Sequence, residues 1–125
     1  EKWNQWYEMR TVSSGLIYST SIVSGCFSLF RTEVFQKVGL YDERFFMYFE
    51  DFDISRRVNK YFKTVYYPKV SVYHEYRREA QKNPRLFKIF VKSAIKYFNK
   101  WGWFFDHERN EINKSTIEQV IKQIK

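Results

Sequence analysis

Apolar and polar positions change their period along this chain, and each change marks an element. Residues 16–23 and 26–31 read as two extended runs with a bend at Ser24-Gly25. Gly25 can take a positive φ there or permit close approach of another part of the backbone. Thr32 is a good N-cap for a short helix over 33–38, with Glu33 favourably placed in its first turn. Val34, Phe35 and Val38 then face the core, and Gly39 ends the helix. A loop over 40–48 leads to a second helix at about 50–61, where Asp53 and Arg57 stand four residues apart and can pair. Residues 64–67 and 70–73 read as short strands split by Pro68-Lys69. Pro68 has no N–H to donate to a ladder and belongs at a strand end or edge.

The strongest helical pattern runs from about 84 to 101. Pro84 suits the first turn, and Leu86, Phe87, Phe90, Val91, Ala94, Ile95 and Phe98 recur at helical spacing. Lys88, Lys92, Lys96 and Lys100 form another stripe, and Trp101, Trp103, Phe104 and Phe105 close the segment. The apolar stripe reads as a core-packing face; with the lysines and tryptophans it also has the features of an interfacial helix. Ser115 and Glu118 make a capping-box pattern before Ile117, Val120, Ile121 and Ile124. This order of elements predicts a mixed α/β fold, a small mixed sheet with flanking helices, and no repeated β-α-β unit. The expected division is 1–105 as the main domain and 106–125 as a linker with an amphipathic helix.

Composition adds rings and an uneven charge. The 125 residues suffice for one small core, yet they include thirteen Phe, ten Tyr and four Trp. Such a surplus serves either the core or a surface that meets a ligand, a membrane or another part of a larger protein. Residues 1–55 carry 5 basic and 8 acidic side chains, whereas 56–100 carry 13 basic and 2 acidic ones. A positive stretch of this kind attracts phosphates, or simply keeps a face solvated. No nucleic-acid-binding motif accompanies it, so nucleic acid is not an expected partner. Cys26 is the one cysteine and has no internal disulfide partner. There is no signal-peptide pattern, and the first residue is not Met; we expect a fragment of a longer, cytoplasmic chain, peripheral at most to the inner face of a membrane.

Candidate chemistry centres on Glu50, Asp51 and Asp53, preceded by Phe45, Phe46, Tyr48 and Phe49. Asp53 is explained by its Arg57 partner. Glu50 and Asp51 point about a quarter-turn apart on a helix, so they cannot do the same job. One of them is free to face a cleft walled by aromatic rings, where partial desolvation raises a carboxyl pKa toward that of a general base. An ordinary acidic cap at a helix start gives the same pattern. The residues alone leave both readings open.

Several segments taken in order resemble one family. They are Val23-Ser24-Gly25-Cys26, then Phe30-Arg31 with Val34-Phe35 and Val38-Gly39, then Tyr41-Asp42-Glu43-x-Phe45-Phe46, then Tyr48-Phe49-Glu50-Asp51-x-Asp53, then Tyr67-Pro68 and His74. Over about 22–98 the chain is similar to the C-terminal, acceptor-side half of the inverting family 2 glycosyltransferases, especially rhamnosyltransferase-like members. The resemblance implies part of a GT-A fold lacking its N-terminal nucleotide-binding half. It implies Asp51 as the general base that deprotonates an acceptor hydroxyl. Glu50, Gly25, Cys26 and Phe49 would form the acceptor side; Asp53, Arg57 and Gly39 would be structural. His74 would lie near a divalent metal, Mg or Mn, in the full-length protein, and Arg77 and Arg78 would contact the donor diphosphate. The implied partners are a nucleotide-sugar donor and a glycan or lipid-linked acceptor in cell-surface polysaccharide synthesis. No cofactor is expected to bind tightly to the fragment, and the fragment alone is expected to be inactive. Two further expectations are a homodimer through exposed rings, and a non-catalytic membrane-surface or protein-interaction module as the competing function.

Overall fold

The computed structural model describes residues 15–75 and 82–124. Strand β1 (Tyr18–Ser19) is followed by helices α1 (Thr32–Val38) and α2 (Glu50–Asn59), strand β2 (Val65–Tyr66), and helices α3 (Pro84–Trp101) and α4 (His107–Ile124). The sheet is a two-stranded antiparallel pair with Tyr18 opposite Tyr66 and Ser19 opposite Val65. The rings of Tyr18 and Tyr66 lie 5.0 Å apart across this pair, the cross-strand contact that stabilises so short a ladder. Beyond it, the Thr20 N–H donates to the Thr64 carbonyl, and the Thr64 hydroxyl donates to the Thr20 carbonyl.

Helix α2 is the centre of the molecule. Ile54 and Val58 pack on Val34 of α1, with Phe30, Phe35 and Val38 around them. Asp53, Ile54, Ser55 and Arg56 are four consecutive buried residues, so α2 is covered on most of its circumference. Each buried polar side chain therefore requires a partner, since an unpaired one costs roughly 1–3 kcal/mol. The Ser55 hydroxyl accepts the Val23 N–H at 3.0 Å. The Asn59 amide donates to the carbonyls of Ser21 and Ser55, each at 2.9 Å. Arg56 makes a two-pronged ion pair with Asp106 at 2.5 and 2.7 Å and reaches Glu108 at 2.8 Å. Its guanidinium lies 4.3 Å over the Trp101 ring. These contacts fasten the start of α4 to α2, and α4 also packs against β1.

Several expectations give way to what is observed. Residues 26–31 and 70–73 form no strand, because no neighbouring strand among the described residues satisfies their backbone. The predicted small mixed sheet is thus purely antiparallel among the described residues. Helix α1 begins at Thr32 itself, capped by an extended Arg31 without a side-chain bond. Helix α2 ends at Asn59, two residues early. Ser115 and Glu118 lie inside α4 and do not start it. The start is set by Asp106, whose Oδ1 accepts the Arg109 N–H at 3.0 Å.

Other expectations match. Helix α3 spans the predicted residues, and the Asn83 side chain accepts N–H groups of its first turn ahead of Pro84. Gly39 follows α1 at φ 78°, where a side chain would be strained, and its N–H returns to the Phe35 carbonyl.

Helix α3 turns a mixed face inward, with Phe90, Tyr97 and Phe98 packing on Phe49 beside polar contacts from Ser93 and Lys100. Ser93 and Tyr97 are its buried residues. The Ser93 hydroxyl donates to the Met47 carbonyl at 2.8 Å, and the Lys96 ammonium donates to the Arg44 carbonyl at 2.8 Å. The Lys100 ammonium bridges Asp42 at 2.8 Å and Asp53 at 2.6 Å. Of the four lysines in the basic stripe, Lys100 thus reaches the buried Asp53, while Lys96 makes its bond at the surface. Phe87, Val91 and Ile95, expected in the core, are exposed.

Candidate functional site

The residues before α2 explain how its first turn is presented. Tyr48 and Phe49 both have φ near 67°, a left-handed conformation that costs a bulky residue roughly 1–3 kcal/mol. The surroundings hold them there. The Phe49 ring packs 5.3–5.4 Å from Phe52, Phe90 and Tyr97, while Tyr48 meets Phe90 edge-on at 5.6 Å. Further back, Asp42 is locked to Arg44 and Lys100, and hydrogen bonds to Arg44 hold its carboxyl well below the usual range. Arg57 donates to the carbonyls of Val38, Gly39 and Leu40. The loop between α1 and α2 is thus held at its start, middle and end.

This arrangement leaves Glu50 and Asp51 as the first residues of α2, facing the segment that contains Gly25. Asp51 Oδ2 accepts the Gly25 N–H at 3.2 Å, and Oδ1 accepts the Phe52 N–H at 2.9 Å. Ser55, one turn further along the same helix face, holds Val23. Together Asp51 and Ser55 dock residues 23–25 against the start of α2. Gly25 leaves the space above the two carboxylates open. A Cβ placed there would lie 3.5 Å from the Asp51 Cβ and 3.7 Å from both Asp51 Oδ2 and Glu50 Oε1. Any larger side chain would cover the carboxylates.

The two carboxyls differ in their surroundings. Glu50 Oε2 is buried without a hydrogen-bond partner. Burial pushes the Glu50 carboxyl pKa up, and the neighbouring Asp51 adds to the effect. The desolvated carboxyl that the aromatic segment predicts is therefore Glu50. Asp51 is the one oriented by backbone N–H groups and only partly buried.

Asp53 lies in the interior. It pairs with Arg57 at 2.9 Å, as its spacing predicts, and also with Lys100 at 2.6 Å and the Trp101 indole N–H at 2.8 Å. Those last two partners come from α3 and have no local signature. Ser55 and the Arg56–Asp106 pair were likewise absent from the sequence expectations; the only signal was the i,i+4 spacing of Asp51 and Ser55.

Cys26 is exposed beside Gly25, with the Ser24 hydroxyl 3.2 Å from its sulfur. Phe49 is half-buried in the ring cluster. His74 is exposed, and among the described residues no group of three or more His, Cys, Asp or Glu is placed to hold a metal ion. Arg77 and Arg78 lie outside the described residues.

Over 63 residues, half of its length, the chain is 38% identical to N-acetylglucosaminyl-diphospho-decaprenol L-rhamnosyltransferase of Mycobacterium tuberculosis, in strains CDC 1551 / Oshkosh and ATCC 25618 / H37Rv alike. The match covers 20% of those relatives. The chain is thus a partial relative of a glycosyltransferase. No family model matches it, and no solved structure does.

Proposed function

We propose that this chain is the acceptor-side part of an inverting glycosyltransferase of family 2 type with a GT-A fold, acting in cell-surface polysaccharide synthesis at the inner face of a membrane. The observation that carries the reading is the Asp51 carboxylate at the start of α2. It is oriented by the Gly25 N–H and lies beside a second, desolvated carboxyl. The similarity to a rhamnosyltransferase named for a polyprenyl-diphosphate-linked sugar supports a nucleotide-sugar donor and a lipid-linked acceptor.

In the proposed step, Asp51 accepts the proton of an acceptor hydroxyl. The hydroxyl oxygen forms the new bond to the anomeric carbon from the face opposite the diphosphate. The bond to the diphosphate breaks, and its electron pair leaves with the nucleoside diphosphate. Glu50 holds the acceptor and keeps Asp51 facing it, while Gly25 and Cys26 line the approach. In this reading the donor nucleotide is held by the N-terminal half of the full-length transferase, with Arg77 and Arg78 assigned to its diphosphate.

The test uses the full-length transferase, a panel of nucleotide sugars and a polyprenyl-diphosphate-linked N-acetylglucosamine acceptor. Transfer with inversion is expected. Gly25→Val, which fills the space above the carboxylates, is expected to raise the acceptor KM at least roughly tenfold while donor affinity holds. An unchanged acceptor KM, or a loss confined to donor binding, would contradict the reading.

A further inference from the structure

The outer face of α3 is an apolar strip on the surface of the molecule. Phe87, Val91 and Ile95 are exposed, and Phe98 stacks on the exposed Trp103 at 5.1 Å, continuing the strip to the helix end. Phe104 and Phe105 follow, 81% and 90% exposed. The opposite face is committed to the loop before α2 through Ser93, Lys96, Tyr97 and Lys100. The helix therefore cannot turn its apolar side inward without breaking those bonds.

Charge identifies what the strip meets. Arg85, Lys88 and Lys92 run along one edge of it, exposed and without an ion pair among the described residues. Helix α3 contains no Asp or Glu. Among the described residues no helix is long and apolar enough to cross a membrane. An apolar strip, an unpaired basic edge and a terminal group of Trp and Phe suit a helix lying in the plane of lipid headgroups. We propose that the outer face of α3, with the Trp103–Phe105 turn, docks this chain on an anionic lipid surface.

Docking places the apolar strip at the acyl boundary and the basic edge among phosphates. The inference is independent of the Asp51 assignment, because vesicle binding requires neither donor nor acceptor. The test is co-sedimentation of the 125-residue chain with phosphatidylcholine vesicles, with and without phosphatidylglycerol. Pelleting is expected with the anionic vesicles. Lys88→Gln with Lys92→Gln is expected to weaken it roughly thirtyfold, from the typical contribution of a basic residue at such a surface. Phe104→Ser with Phe105→Ser is expected to weaken it at least roughly tenfold. Circular dichroism of both variants should match the parent chain, since all four side chains are exposed. Absence of pelleting, or pelleting that both double variants retain, would overturn the proposal. So would a chain that ignores vesicles and sediments as a dimer split by Ile95→Ser, which would assign the strip to a second copy.

Discussion

Glu50 and Asp51 are neighbours with different tasks imposed on them. Glu50 loses solvent and its Oε2 gains no partner, so its pKa is raised. A raised folded-state pKa makes its contribution to stability most favourable below the unfolded value of about 4.3, and less so as pH rises through the folded value. Glu50→Gln is thus expected to raise the melting temperature at neutral pH, with the gain shrinking toward pH 4. Thermal melts across that range measure it. Asp51 receives two backbone N–H groups, one of them from Gly25. The carboxylate cluster was legible from residue order. Which carboxyl is desolvated was not, because that depends on a segment 25 residues earlier folding over the helix start.

Among the elements, α2 shows how a polar helix becomes a core. Its buried Asp53 is held by Arg57, Lys100 and Trp101. Asp53→Ala is expected to destabilise the chain by on the order of 3 kcal/mol, because it removes the shared partner of two cations. Trp101→Phe removes one hydrogen bond and is expected to cost about 1 kcal/mol. Denaturant unfolding of the chain measures both. The limits of α3 were legible because Pro84 and the apolar period mark them. Its facing was not. Periodicity distinguishes two faces but does not state which lies inward. Here the loop before α2 offers the Phe49 ring, the carbonyl at 47 and the carboxylates at 42 and 53, so it takes the side carrying Phe90, Ser93, Tyr97 and Lys100. Residues 26–31 and 70–73 form no strand because an extended apolar run does not by itself supply a pairing neighbour.

In the whole molecule, ion pairs from Arg56 to Asp106 and Glu108 and from Lys60 to Glu108 join the end of α2 to the start of α4. Hydrogen bonds from Arg56 hold the Asp106 carboxyl below its usual range. A depressed folded-state pKa gives stability that is present above the unfolded value of about 3.9 and is lost as pH falls through the folded one. The chain is therefore expected to lose stability below about pH 4. Asp106→Asn should be less stable at neutral pH and should lose less on acidification. Urea midpoints measured against pH test this.

The aromatic cluster, the fastened loop and the docked 23–25 segment all converge on one carboxylate, Asp51. The most direct test is Asp51→Asn in the proposed full-length transferase, with donor binding measured separately from transfer. The expected result is a fall in kcat of roughly 10²–10⁴-fold, the range for losing a general base, with donor affinity unchanged. Transfer at the normal rate would contradict the assignment and return Glu50 and Asp51 to the role of an acidic helix start.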